Sequence, residues 1–431
     1  QENGTALTTA NLNSAEVAGE NDISNIYDVT GTTLVVMTGK ELLIPTGYRL
    51  DTNGTTNLFH LDIDGILDVG GNAVTISGSL DNSGTFTTTG VVTFNAAGSQ
   101  TINTGGTGTG NDFQHLTINS GGGTLTLVGN NLDVDGTLTI SGGTFVQGSA
   151  LTITAASLTL AGGTFNGGDS LIDINGTAFL ASGTFNATSG SMNVAGHWTN
   201  SGATFNHQNG SVILDGTFQN IGGNSTFYNL TKTVAAADTL TFGFGMLQTI
   251  AAGGSLTLQG ASGQLLTLAS GGFPDFALNV NAAATQNVSY VSVSKSNAGA
   301  GATINAANST NGGGNLNWLF GPNTVTVDTV ADENDGDTSS ITALIATPGG
   351  TGISLREAII AANNTANGGV PDEIWFNITA PLVGGAHTIA VTGAALPTIT
   401  EALVIDGTTD SDFAGSPIIE LDGTAAGAFS S

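Results

Sequence analysis

Asp332, Asp335 and Asp337 place three carboxylates in one short glycine-containing loop of this 431-residue chain. Hard oxygen ligands at that spacing suit calcium, which would rigidify the loop; an acidic linker without an ion is the competing reading. The remaining loop spacing and the lack of a distal ligand glutamate exclude an EF-hand. Asp62, Asp64 and Asp68 alternate along one expected strand face, and they or the pair Asp133 and Asp135 could converge as the carboxylates of a glycoside hydrolase. Solvated outward-facing aspartates are the alternative. A lyase acting on uronic acids needs clustered cations, yet Lys40, Arg49, Lys232 and Lys295 are far apart in sequence. His60, His115, His197, His207 and His387 are scattered without ligand spacing and read as turn or surface residues. A Thr-x-Thr array of the ice-binding kind begins at Thr137 and Thr139 but breaks at Phe179 and His197, so threonine here reflects strand preference.

Composition narrows the field. With 33 acidic residues against five basic ones the formal charge is −28, which repels nucleic acid and acidic polysaccharide. No cysteine is present, so neither disulfides nor thiolate metal sites contribute. No apolar run approaches the ~20 residues needed to cross a bilayer, so no membrane insertion is expected in this segment. A 39% hydrophobic content with 65 glycines indicates an ordered, turn-rich chain rather than a disordered one. The scarcity of lysine and the abundance of Thr, Asn and Gly point to an extracellular or cell-surface location, with any signal peptide removed before Gln1.

The elements that would position these residues show themselves as a repeat. Phe145, Phe165, Phe185 and Phe205 recur at a step of twenty, each after a threonine, and Gly136, Gly176, Gly196 and Gly216 hold a second column in the same phase, with Ala156 in the remaining slot. Around them apolar and polar residues alternate, as in Ile172-Asp173-Ile174 and Met192-Asn193-Val194, which is the period of half-buried strands. Short strands, Gly/Asn/Ser turns and a fixed step predict an all-β fold, a β-solenoid of roughly 20–25 residues per coil. Residues 1–30 are expected to be an N-terminal cap or assembly segment, and 31–320 a first solenoid, a rod of roughly 60 Å at ~4.8 Å per coil. Residues 321–431 read as the start of a second solenoid, incomplete and hence part of a longer protein. Its expected capping helix covers 354–363, where Ser354 and Glu357 form an S-x-x-E capping box and Leu355, Ala358, Ile359 and Ala362 share an apolar face.

At Thr324-Val325-Thr326-Val327, Ala331-Asp332-Glu333-Asn334-Asp335-Gly336-Asp337 and Ser354-Leu355-Arg356-Glu357-Ala358-Ile359, the chain resembles the C-S-L-R-E-A-type opening of bacterial secreted and cell-surface right-handed β-helix repeat proteins of the adhesin-like kind. Leu396-Pro397-Thr398-Ile399-Thr400 and Ile405-Asp406-Gly407-Thr408-Thr409 continue that likeness, which covers roughly residues 324–424. Ile353 stands where such proteins often carry cysteine. The resemblance implies a right-handed parallel β-helix and a surface location, with few activities attached. The function expected is a non-enzymatic structural or adhesive solenoid of a surface fibre or filament. Its partners would be other copies through end-to-end or tandem contacts, or surface glycans and proteins, with calcium the one cofactor foreseen. A polysaccharide lyase or hydrolase on the same fold is the alternative.

Overall fold

A computed structural model describes residues 57–365 and 371–427 throughout, and of the segment before them only the strands Tyr27–Thr30, Thr33–Val36, Glu41–Ile44 and Arg49–Asp51 and the backbone of Thr56. The expected cap at 1–30 lies outside the described residues apart from its last strand, which pairs antiparallel with Thr33–Val36. The chain forms two compact units, one of residues 1–231 and 246–254, the other of 232–245 and 255–431.

The first unit is a stack of parallel coils, as the period-two patterning requires. A representative coil has three short strands, Ile172–Ile174, Ala178–Leu180 and Thr184–Asn186. Each pairs in parallel with its counterpart twenty residues on, at Ser191–Val194, Trp198–Asn200 and Thr204–Asn206. Alternation aims Ile172, Ile174, Ala178, Leu180 and Phe185 inward, where all are fully buried. Each large inward side chain contributes roughly 1.5–3 kcal/mol by leaving water. Because the register is residue for residue, like side chains stack. Phe165 and Phe185 lie face to face with ring centroids 4.7 Å apart, flanked by Phe145 at 5.6 Å and Phe205 at 6.2 Å.

The glycine column marks the corner between the first and second strand of successive coils, and close approach explains it. A methyl group on Gly136, Gly176, Gly196 or Gly216 would strike backbone of the preceding coil, at Gln114, Ala156, Gly176 and Ala195 respectively. The same corners leave carbonyls that need donors, and buried glutamines supply them. Gln219, fully buried, donates through Nε2 to the carbonyls of Val194 and Gly196, both at 2.7 Å, and Gln100 reaches those of Ile76 and Gly78 in the same manner.

The second unit continues the parallel pairing with a looser step. Asp238 faces Leu266, Leu266 faces Val291 and Ser292 faces Thr310, separations of 28, 25 and 18 residues. Inside this stretch Lys232 and Asp238 form a buried ion pair at 2.9 Å. After Gly321-Pro322 a separate three-stranded parallel sheet begins, made of Thr324–Val327, Asp372–Phe376 and Leu403–Asp406. His387–Ala390 pairs with Ile419–Asp422 in a two-stranded sheet.

Two helices pack against these strands: α1, Ile341–Ala346, and α2, Leu355–Asn363. Helix α1 is additional to the one helix expected from sequence; at six residues it shows little periodicity, and Ser340 caps it by accepting the N–H of Ala343. Helix α2 opens with both halves of the capping box formed between Ser354 and Glu357. Its Ala358, Ile359 and Ala362 join Val325, Val327 and Phe376 in one core.

The glycine column yields a direct test. Gly196→Ala is expected to lower stability by about 2–3 kcal/mol, because rigid backbone rather than a movable side chain blocks the methyl group. Gly98→Ala, with no atom near its added carbon, should stay within about 0.5 kcal/mol. Denaturant unfolding of both variants reads the difference, and equal effects would refute the close-approach explanation.

Candidate functional site

The aspartate loop of the second unit places its three candidate ligands on three different partners. Asp332 grips the Arg356 guanidinium with both oxygens, at 2.8 and 2.9 Å, and accepts the N–H of Thr392 at 2.6 Å. Burial opposes its ionisation, but Arg356 and the Thr392 bonds outweigh that and hold its carboxyl below the ordinary value. Asp335 accepts the N–H of Gly350 at 3.0 Å, and Asp337 that of Ser339 at 3.1 Å. Glu357, fully buried at the first turn of α2, accepts the N–H groups of Asp335, Gly336 and Ser354. The loop is therefore latched to the helix by a carboxylate whose capping role was readable from the S-x-x-E spacing.

The alternating aspartates near 62–68 do not share a strand. Asp62 lies in His60–Ile63 and Asp68 in Ile66–Gly70, two strands of different sheets separated by a turn at Asp64-Gly65. Coil geometry thus sends them to different sides, and Asp64 accepts the hydroxyl of Ser83 at 2.6 Å instead.

Asp133 and Asp135 do lie close together, and the coil before them adds Asp112. Asp135 shares a hydrogen bond with Asp112, which raises its carboxyl above the ordinary value. Burial raises Asp133 as well, helped by the charges of Asp135 and Asp112. Asp112 was not singled out from sequence, because only coil stacking brings it beside residues more than twenty positions away.

Four histidines share one structural task. Through Nδ1 they accept backbone N–H groups, His60 from Ser79 at 3.0 Å, His115 from Thr137 at 3.0 Å, His197 from Asn220 at 3.2 Å and His207 from Asn209 at 3.0 Å. His387 differs from the expectation of a turn or surface position, because it faces inward at the start of its strand and is only 1% exposed. Among the described residues, His387 with Asp410 and Asp412 is the one group of three ligand-type side chains whose atoms lie within 4.8 Å of one another.

The first unit also carries an open recess of about 520 Å3, lined by Asn200, Ser201, Gly202, Ala203, Gly223, Asn224 and Met246. An adjoining hollow adds Phe205, Leu247 and Thr249. It lies where the phenylalanine ladder stops: Phe205 is the one member of that column not fully buried. Beside the ladder runs an asparagine file that the sequence carries as repeated Thr-Phe-Asn triplets. Asn206 donates to Asn186 at 2.7 Å and Asn186 to Asn166 at 2.6 Å, leaving amide and hydroxyl groups as the chemistry of this face.

Of the three basic side chains in the described residues, Lys232 and Arg356 are held by Asp238 and Asp332. No described helix is long and apolar enough to cross a membrane. Comparison with protein-family models, curated proteins and solved structures finds no match to this chain.

Electrostatics in the second unit give a pH prediction. Asp372 is pushed up to about 6, chiefly by burial and against the hydrogen bonds from Asn323. A raised carboxyl favours its protonated form in the fold. Its contribution is therefore complete below the ordinary carboxylate range and lost as pH climbs through about 6. Asp372→Asn should stabilise the protein above pH 6 by on the order of 1–2 kcal/mol after allowing for solvent screening, and give no gain at pH 4. Thermal unfolding at pH 4 and pH 8 measures this, and a gain independent of pH would disprove it.

Proposed function

We propose that this chain is a non-enzymatic structural and adhesive β-solenoid of the extracellular or cell-surface environment. The observation that carries this reading is the residue-for-residue stacking of Thr144, Thr164, Thr184 and Thr204 with their phenylalanine neighbours, which commits most of each coil to supporting the next. Such a chain presents the same polar groups repeatedly at the strand spacing of about 4.8 Å. Many weak contacts along it combine into useful avidity.

The contact surface is the recess around Asn200, Ala203 and Asn224, and its partner is a neutral glycan. Amide and hydroxyl groups beside the partly exposed Phe205 offer hydrogen bonds and an apolar ring to a sugar, whereas a net charge of −28 disfavours acidic polymers. A carbohydrate-active enzyme is the second reading. It is favoured by the Asp112–Asp135 pair, whose shared hydrogen bond and raised Asp135 carboxyl resemble the setting of a general acid.

One experiment separates the two. The purified protein is incubated with immobilised neutral and acidic polysaccharides, and both retention and newly released reducing ends are measured. The adhesive reading expects retention on neutral glycans without release, and at least a tenfold loss of retention in Ala203→Tyr, which fills the recess. Released ends that vanish in Asp135→Asn would overturn it in favour of the enzyme. Absence of retention on every polymer would remove the glycan partner.

A further inference from the structure

We propose that His387, Asp410 and Asp412 form a binding site for a divalent first-row transition-metal ion, with zinc as the probe ion. Stacking of the second unit's last coils builds the site. His387 opens the strand His387–Ala390 with its side chain pointing inward, and its own N–H donates to the carbonyl of Ile418 at 2.7 Å. Asp410 follows the short 3-10 turn Gly407–Thr409, two residues before Asp412. The carboxylate of Asp410 is fully buried and fixed from two sides, accepting the N–H of Ile378 at 2.9 Å and that of Asp412 at 3.0 Å.

The imidazole of His387 is fully buried and neither ring nitrogen has a hydrogen-bond partner. Its Nε2 faces Asp410 Oδ1 at 3.8 Å and Asp412 Oδ2 at 3.6 Å, beyond hydrogen-bond reach of both. Buried polar groups in folded proteins are nearly always partnered, and even the four less buried histidines of this chain each accept a backbone N–H through Nδ1. This nitrogen and the two carboxylate oxygens all lie within 4.8 Å of one another, close enough to surround a common ion. Metal–ligand bonds of about 2.0–2.2 Å in a tetrahedral arrangement place ligand atoms roughly 3.3–3.6 Å apart, and the two distances from His387 Nε2 lie at or within a few tenths of an ångström of that range.

The donor set chooses the class of ion. One imidazole with two carboxylates suits zinc, manganese, cobalt or nickel, whereas calcium takes six to eight oxygens. Three protein ligands, with Asp412 51% exposed, leave a coordination position open to water. An ion here would join the strand at 387 to the corner at 410–412, a cross-link between coils in a chain that has no cysteine.

The test uses the full chain, stripped with a chelator, dialysed and titrated calorimetrically with zinc alone, then with calcium alone. The expected result is one zinc per chain, no comparable calcium binding and a rise in melting temperature on zinc addition. His387→Ala should weaken zinc binding by at least about 100-fold and Asp412→Asn by at least about tenfold. Asp422→Asn, at a half-buried acid whose carboxylate accepts the N–H of Thr424 and is not among the three candidate ligands, should leave it unchanged. Because Asp412 is half exposed, its variant keeps the test decisive even if His387→Ala fails to fold. Lack of a saturable zinc isotherm, or an isotherm unaffected by Asp412→Asn, overturns the proposal and leaves a loose histidine–carboxylate pair.

Discussion

Vertical registry between coils is the constraint on which the rest of this structure depends. When each strand hydrogen-bonds in parallel to its counterpart in the next coil, every side chain acquires a neighbour directly above and below at about 4.8 Å. A position must then suit the same position one coil away as well as its own surroundings. Phe165 on Phe185 and Asn186 on Asn166 satisfy that demand by repetition. Gly196 against the backbone of Gly176 satisfies it by removing the side chain altogether. The period of twenty in sequence is the trace of this requirement.

Corners are where registry alone fails, because strands end there and backbone groups lose their partners. The first unit answers with side chains that reach across coils: Gln219 to the carbonyls of Val194 and Gly196, and His115 to the N–H of Thr137. The second unit answers the same problem with Glu357, which serves its own helix terminus and the aspartate loop together. These buried polar side chains are corner devices, and His387 is set apart from them because neither of its ring nitrogens makes a hydrogen bond.

This division explains how far the sequence could be read. The phenylalanine and glycine columns are legible because each recurs at one fixed interval, and the Ser354–Glu357 cap because its residues are three apart. Asp62 and Asp68 were assigned to a single strand although Asp64-Gly65 carries a turn signal between them, since period-two alternation continues unbroken across that turn. Asp112 and Asp135, or His387 and Asp410, are 23 residues apart with no repeat to link them. Their proximity follows from coil lengths, which must be known before such pairs can be recognised. Where the coil step varies from 28 to 18 residues, as in the second unit, that knowledge is not available from pattern alone.

The acidic composition meets the same registry. Like charges directly opposite one another on neighbouring strands are destabilising, so a chain with 33 acidic residues cannot let them stack freely. One outward file shows the solution: Thr154 pairs with Asp133 on one side and Asp173 on the other, and Asp173 with Asn193, so neutral side chains separate the carboxylates. Where Asp62 and Asp81 do face each other, the amide of Asn103 donates to Asp81 from the following coil at 2.8 Å. Where Asp112 and Asp135 meet, the pair shares a hydrogen bond and the Asp135 carboxyl rises. Interleaving, amide donation and proton sharing are three solutions to one electrostatic problem. The metal ion proposed at His387, Asp410 and Asp412 would be a fourth, applied where two carboxylates converge on an imidazole and no neutral residue separates them.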